Sequence, residues 1–414
     1  MLKSLTGVAY RVADLEKAKR WYRRILGKEP ALDSPLGVVF EIGGSQCSLL
    51  PIQSASPGSD ERVVAFWGVD DIEAAYRQLL EAGAAPHTEV MRTVLGSKIA
   101  RVIDPFGNIL GLTGTDSAAK VKSLEDQPSE SALGVAFCRA LAAHDEREEI
   151  RGPDCLAEIF LTEDARKPLR DPAARAWVLG KVIPPGSYEY FVARTAFFDG
   201  IVRRALQENL PQVVFLGAGY DTRPYRFANL IQGTRIFELD IESTQARKRE
   251  LLERAKVPIP VHLSFVPIDF TQDSLEEVLF QAGFDRGKKA LFLWEGVTYY
   301  LPAQAVDRTL EFVRRNSPVD SRVCFDYRIQ APDMASRYGV RESAAAMRAS
   351  YRAEPIQSGI PEGTIEPFLF ERGYRMLTHL TAEDLERNYL TLRDGSSAGK
   401  VLACFGLVEA CVAG

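Results

Sequence analysis

Residues 213–240 read VVFLGAGYDTRPYRFANLIQGTRIFELD, and no other stretch limits the fold of this 414-residue chain as tightly. An apolar β-type run ends in Gly217-Ala218-Gly219, a polar segment follows, and a second short strand ends on Asp240. Strand, glycine turn, helix, strand and acid is the order of a nucleotide-binding α/β unit. Gly217 and Gly219 let the backbone pass close to a ligand because no Cβ stands in the way. Asp240 suits a ribose, since one carboxylate can accept from two hydroxyls.

A dinucleotide fingerprint adds a third glycine, so that the helix start can approach a pyrophosphate. Here the turn continues Tyr220-Asp221-Thr222-Arg223. An anionic Asp221 at the helix entrance is expected to repel a pyrophosphate. It tolerates a ligand without phosphates, such as S-adenosylmethionine (SAM), whose sulfonium and ammonium groups are cationic. A lone GxG also fits an ordinary strand–turn–helix with no ligand, and the acid at the second strand tip favours the nucleotide reading.

The length suits two or three domains with large cores. A net charge of −5 gives no general attraction to nucleic acid or anionic membrane, so neither is an expected partner. The first residues, MLKSLTGVAYRVADLEKAKRW, mix charges into their apolar positions, unlike a signal peptide. No apolar run approaches the roughly 18 residues that span a bilayer. Six scattered cysteines (47, 138, 155, 324, 404 and 411) form no CxxC pair. They read as buried free thiols of a cytoplasmic protein, without metal-binding spacing.

A weak duplication occupies residues 5–115. Val12-Ala13-Asp14-Leu15-Glu16-Lys17-Ala18 matches Val69-Asp70-Asp71-Ile72-Glu73-Ala74-Ala75 at an offset of 57. Asp14 and Asp71 are good helix caps, because their carboxylates accept from free first-turn amides. Apolar runs follow each helix, VVFEI and CSLL after the first, IARVI and NILGL after the second, with DPFGN as the last turn. The unit is therefore βαβββ, present twice. VADLEKAKRWYRRILG, VDDIEAAYRQLLEAG and DPFGNILGL resemble the glyoxalase/bleomycin-resistance (vicinal oxygen chelate) family. Its metal-using members place His, Glu or Gln where this chain has Gly7, Val64 and Gly111, none of which can ligate a cation. Glu41 alone does not make a site. The domain, taken as 1–116, is thus expected to hold no metal. It is expected to bind an apolar ligand, to cover the second domain's site, or to serve packing or dimerisation, and such domains often pair. His87 reads as a solvated loop histidine. A polar stretch, 117–131, reads as linker.

From 132 to 414 helical segments come first, then strands and helices alternate: VVFLG, RIFELD, LSFVPID, ALFLWEG and VCFDYR. Five short runs separated by helices argue for a parallel sheet covered on both faces. The helical preamble and an insert from Ala331 to Pro367 are expected over the strands' carboxyl ends, where ligands bind. LSFVPID ends at Asp269, which can accept from an adenine amine. Glu295 follows an apolar strand and needs a partner, because unpaired burial is costly. Arg194 can hold a carboxylate by a charge-assisted pair. The alternative is that Arg194 and Glu295 pair with each other or with helix ends. Arg203-Arg204 and Arg247-Lys248-Arg249 read as solvated helix faces.

FLGAGYDTRPYRF, IFELD, VPIDF, LWEGVTYYL and ARTAFFD resemble the leucine carboxyl methyltransferase family, including its bacterial small-molecule branch. The resemblance implies an α/β fold, a class I methyltransferase-type Rossmann-like sheet with a helical lid, and SAM as cofactor. It implies that Arg194 holds the SAM carboxylate and that Gly217 and Gly219 form the turn beneath it. Asp240 then binds the ribose, Asp269 and Phe270 flank the adenine, and Glu295 lies by the amino acid end. The activated sulfonium methyl needs positioning more than acid–base machinery. A carboxylate acceptor needs no base, whereas a phenol or alcohol benefits from one. No histidine stands at a strand tip, which favours a carboxylate of a small molecule or peptide as substrate. Tyr299, Tyr300, Tyr327 and Arg328 follow two strand tips and are the acceptor-side candidates, although each also suits packing or surface. Methylation of a phenolic or enolic hydroxyl, and a ligand-binding module with an inactive methyltransferase-like domain, are the alternatives.

Overall fold

A computed structural model describes residues 4–35, 37–42, 45–51, 63–69, 71–92, 98–104, 109–114, 129–270, 272–350 and 356–414. The chain divides into two compact units, Met1–Lys122 and Ser123–Gly414. Most of the expected linker, and residues 105–108 of the DPFGN turn, lie outside the described residues.

The first unit runs β1 (Ser4–Val12), α1 (Leu15–Leu26), β2 (Leu32–Ser34), β3 (Gly37–Ile42), β4 (Ser45–Pro51), then β5 (Val63–Val69), α2 (Ile72–Glu81), β6 (Ala85–Arg92), β7 (Lys98–Ile103) and β8 (Ile109–Gly114). This is βαβββ twice. Asp14 and Asp71 each accept from the amide three residues on, at 2.8 Å, and so start the two helices. The strand order is β2-β3-β4-β1-β5-β8-β7-β6, with the two halves joined by antiparallel β1 and β5. Each half keeps its own small core, one around Phe40 and Leu49, the other around Ile72 and Leu112. At Gly111 an added Cβ would sit 2.6 Å from the Phe66 ring, which fills the space that a side chain there would need. Among the described residues no group of three or more His, Cys, Asp or Glu could hold a metal ion. His87 is exposed, but it lies in β6 and not in a loop.

The second unit begins with α3 (Glu130–Ala143), α4 (Glu163–Arg170), α5 (Pro172–Trp177) and the long α6 (Ser187–Gln207). Then follow β9 (Gln212–Leu216), α7 (Arg223–Arg226), β10 (Arg235–Asp240), α8 (Glu242–Arg254), β11 (Leu263–Pro267), α9 (Leu275–Gln281), β12 (Ala290–Trp294), α10 (Ala303–Arg315) and β13 (Arg322–Gln330). The chain continues through α11 (Val340–Ser350), β14 (Ile360–Pro361), α12 (Ile365–Phe370), β15 (Tyr374–Leu380), α13 (Ala382–Tyr389) and β16 (Phe405–Val412). The sheet order is β11-β10-β9-β12-β13-β16-β15, and β14 pairs with the end of β13. From β11 to β13 all neighbours are parallel, while β16 runs against both β13 and β15. The expected Rossmann-like sheet is therefore present, and the direction of winding reverses between β9 and β12. A crevice opens at such a switch point beyond the carboxyl ends. β9, β12 and β16 are buried along their whole length, which explains why they are apolar apart from Gln212 in β9 and Glu409 in β16.

Of the two basic stretches expected to face solvent, Arg203, Arg204 and Arg249 are exposed and Arg247 is partly so, but Lys248 is not. Lys248 is wholly buried, with Nζ 2.8 Å from Glu238 Oε2 in β10. Arg204, half exposed, donates to both oxygens of buried Glu409 at 2.8 and 2.7 Å. Each basic residue is matched to a carboxylate inside a strand more than five positions away, a pairing that no local pattern announces. The thiols also differ in one place: among the described cysteines, all free, Cys155 is exposed and the other five are buried.

Burial pushes Glu238 up from 4.5 to about 7, against the pull of Lys248. Between those values the folded chain holds a proton that the unfolded chain has released, so this group's contribution to stability falls as pH rises through the window. Lys248→Met should destabilise the second unit by about 3–5 kcal/mol, because it strands a buried carboxylate. The loss should be larger at pH 8 than at pH 5, and Lys248→Met with Glu238→Leu should recover most of it. Urea unfolding at both pH values is the measurement, and an unchanged midpoint would remove the pair from the core's stability.

Candidate functional site

The turn after β9 is built by backbone hydrogen bonds into β10. The amides of Gly217 and Ala218 both donate to the Leu239 carbonyl, at 2.9 and 2.8 Å. Gly217 has φ +74 and Gly219 φ +48, left-handed conformations that favour glycine. A Cβ on Gly217 would collide with Val297 Cγ2, just past β12. The two strands at the switch point thus approach each other as closely as a missing side chain permits. Asp240 ties the turn down: Oδ2 accepts from Gly219 N at 2.6 Å and Oδ1 from Ile241 N at 2.8 Å. At the next strand tip the Ile268 amide donates to the Asp240 carbonyl at 3.0 Å. This places Asp269 and half-buried Phe270 beside Asp240. Asp269 Oδ2 accepts from Gln272 Nε2 at 2.8 Å, and its amide donates to Asp273 Oδ2 at 2.7 Å.

On the other side of the switch point lies a network of buried ions. Arg194 of α6 places Nε 3.0 Å from Glu295 Oε1 and Nη1 2.9 Å from Asp326 Oδ2. Glu295 Oε2 also accepts from Arg223 Nη1 at 2.7 Å. Arg223 holds Asp221 through Nη1 at 2.5 Å and Asp199 through Nε at 2.7 Å. Arg226 reaches Asp199 at 2.8 Å and Asp154 at 3.5 Å, and Arg139 lies 3.2 Å from Asp154. Burial opposes ionisation of Asp199 and Asp221, yet Arg223 and its neighbours hold both carboxyls below the usual carboxylate range. Asp326, in the middle of β13, accepts from Arg194, from Tyr190 Oη at 2.7 Å and from Gly296 N at 2.6 Å.

These distances correct one expectation and sharpen another. Asp221 is not a bare charge at a helix entrance: it is buried and compensated by Arg223, and the helix behind it, α7, is a single turn. The repulsion argued from its charge therefore loses its basis. Arg194 and Glu295 do meet, as the sequence alternative allowed. The contact is too misaligned for a hydrogen bond, so Arg194 Nε remains a buried donor without a hydrogen-bond acceptor among the described residues. Arg223 Nη2 is in the same condition. Buried donors of this kind normally have a partner.

The acceptor-side candidates separate. Successive residues of β13 face opposite sides of the sheet, so Arg328 shares the face of Asp326 and Tyr327 does not. Tyr327 instead crosses over Gly406 to place its hydroxyl 2.9 Å from His379 Nε2 in β15. Tyr299 is buried, with its ring 4.7 Å from Tyr300 and 5.0 Å from Phe405. Phe405 also stacks on Tyr190 at 4.8 Å and lies under the Arg328 guanidinium at 6.0 Å. Tyr299, Tyr300 and Arg328 thus join the Arg194 cluster through one aromatic ring, and Tyr327 is left outside it. The insert reaches this corner too, since Gln357 N and Ser358 N donate to the Tyr299 carbonyl at 2.8 and 3.3 Å. The preamble reaches the other end: Arg139 Nη2 donates to the Tyr220 carbonyl at 2.5 Å.

Sequence reading missed Asp199, Arg223 and Asp326. Asp326 carried the clearest signal, a charge inside the apolar run VCFDY, of the same kind that drew attention to Glu295. The five strands from the one before Asp269 to the one carrying Asp326 span four inter-strand gaps of about 4.8 Å each. An elongated ligand laid across them would meet acidic groups at one end and the ion network at the other. Gly217→Ala should destabilise the second unit by about 1–3 kcal/mol through its positive φ, before the clash with Val297 is counted. Adding Val297→Ala should restore only the part due to the clash, and thermal unfolding of the two variants separates the two causes.

Comparison with known proteins gives these residues a lineage. Residues 132–314 match the model of the leucine carboxyl methyltransferase family, and residues 4–112 that of the glyoxalase/bleomycin resistance protein/dioxygenase superfamily. A Bacillus subtilis protein named "Putative S-adenosyl-L-methionine-dependent methyltransferase YktD" is 29% identical over 202 residues, which cover 49% of this chain and 66% of that one. A Frankia alni protein with the same kind of name is 34% identical, over 50% of this chain and 71% of its own length. One from Mycolicibacterium paratuberculosis is 32% identical over 288 residues, 64% of this chain and 89% of the relative. The second unit of this chain belongs to the leucine carboxyl methyltransferase family, and the unit before it matches the glyoxalase/bleomycin resistance protein/dioxygenase superfamily.

Proposed function

We propose that the second unit transfers the methyl group of SAM to a carboxylate oxygen of a small molecule or peptide, forming a methyl ester. SAM-dependent methyl transfer follows from family membership, and the acceptor is the further step. The crevice suits the donor on its own chemistry. Asp240 is anchored by two amides at a strand tip, where a ribose can use its remaining reach. Arg194 Nε and Arg223 Nη2 are buried donors for an amino acid carboxylate. Glu295, between those arginines, complements an ammonium group. Asp269 and Phe270 offer an acceptor and a flat apolar face for adenine.

Bound SAM supplies a methyl carbon whose sulfur keeps the bonding electron pair as the acceptor oxygen attaches. The protein's own part is to orient, to exclude water and to place charge. The observation that carries the acceptor reading is Arg328. It lies on the Asp326 face of β13, and no carboxylate pairs with it among the described residues; its polar contact is Cys404 Sγ at 3.6 Å. A guanidinium in that position can fix one carboxylate oxygen while the other attacks. The histidines give no support to base catalysis. His144 and His262 are exposed on the preamble and before β11, and His379 binds Tyr327 on the opposite face of the sheet.

Calorimetry should give micromolar SAM binding that Asp240→Ala weakens by roughly a hundredfold or more, the loss of two charge-assisted hydrogen bonds. Unchanged affinity would remove Asp240 from the site. Incubation with isotope-labelled SAM and a metabolite extract should label products that release methanol in alkali, as esters do. Label stable to alkali would replace the carboxylate with a phenol or enol. With an ester-forming acceptor in hand, kcat/KM should be flat from about pH 6 to 9, since the carboxylate is already ionised. A rate that climbs through this range would indicate deprotonation of a hydroxyl. Arg328→Ala should raise KM for the acceptor and leave SAM affinity unchanged.

A further inference from the structure

The ion network beside the Glu295 tip does not balance. Its guanidiniums are Arg139, Arg194, Arg223 and Arg226, and its carboxylates are Asp154, Asp199, Asp221, Glu295 and Asp326. Four cations against five anions leave one negative charge. Every member lies within ion-pair distance of another, and none has more than 10% of its side chain exposed. Arginine stays protonated in proteins, and each carboxylate of the network lies within ion-pair distance of a guanidinium. Buried charge of this kind is poorly screened by salt. The excess is carried next to the switch-point crevice, because Asp326 binds the amide of Gly296, the residue after Glu295.

This bears on the ligands of the methyltransferase reading, on which the inference rests. SAM and its product share an adenosine and a zwitterionic amino acid. They differ by the methyl and by the charge of the sulfur, so SAM carries one net positive charge and S-adenosylhomocysteine none. We propose that the uncompensated negative charge of the buried network makes the site discriminate by charge, holding the cationic donor and letting the neutral product go. Asp326 is then a specificity-determining residue: it supplies the fifth carboxylate and transmits it to the crevice through Gly296. The same field opposes discharge of the sulfur during transfer, so its benefit lies in exchange of product for donor.

Calorimetry on the full chain with three ligands tests this: SAM, S-adenosylhomocysteine, and the amine analogue in which a carbon bearing a protonated amine replaces the methylated sulfur. Both cationic ligands should bind roughly tenfold or more tightly than the neutral product, the size expected of one unscreened charge at this range. Asp326→Asn keeps the shape and removes the charge. It should bring SAM and product to near parity, any loss through Arg194 being common to both ligands because they share the amino acid end. Product binding as tight as SAM in the natural protein, or a gap that survives Asp326→Asn, overturns the proposal. If the variant does not fold, the three-ligand comparison decides alone. Failure of all three ligands to bind the natural protein would sink the methyltransferase reading itself, a result distinct from three equal affinities.

Discussion

Arg223 is the knot of the second unit. It is almost wholly buried, and its guanidinium meets Asp199 from α6, Asp221 from the turn after β9 and Glu295 from the tip of β12. Those three segments are separated by tens of residues, and apolar packing alone has no means of setting their register to a fraction of an ångström. Ion pairs have direction, and a planar guanidinium with several donors has more of it than an ammonium. Breaking such a pair on one side leaves a charge in low dielectric, so alternatives that separate these segments are strongly disfavoured. The glycine turn, the helix carrying Arg194 and the acid of β12 are in this sense one object.

The rest of the crevice is arranged around that object. On one side the sheet presents Asp240 and Asp269 at successive tips; on the other, Asp326 extends the ion network into β13. The preamble touches the network through Arg139 and Asp154, and the insert closes the Tyr299 corner. The two additions to a plain parallel sheet therefore do different work. One completes the charge lattice beside the Glu295 tip and the other packs against the Tyr299 corner.

Much of this was legible in the sequence, and the limits have physical causes. The strands VVFL, RIFELD and ALFLW and the capped repeats of the first unit are local: a run of apolar residues, a turn, an acid one position past an apolar run. Arg194, Asp240 and Glu295 could be picked out because each breaks an apolar pattern at a strand tip or on a buried helix. Arg223 and Lys248 could not, because a basic residue in a polar stretch looks the same whether it faces water or a carboxylate across the fold. Asp221 escapes a sequence reading for the same reason, since only geometry shows that Arg223, two residues on, neutralises it. Tyr327 and Arg328 are adjacent in sequence and were treated alike; the pleat sends them to opposite faces. That difference follows from the strand running on to Gln330, which puts both residues inside β13 and not after its tip.

The place of β16 has a consequence for how the second unit comes into being. Residues 405–412 are read last among the strands, yet they lie between β13 and β15, buried from end to end. Until they are in place, β13 and β15 have a gap between them and open hydrogen-bonding edges facing each other. Two such edges invite pairing in the wrong register or with a neighbouring chain. The sheet of the second unit is therefore continuous only once this segment has been inserted.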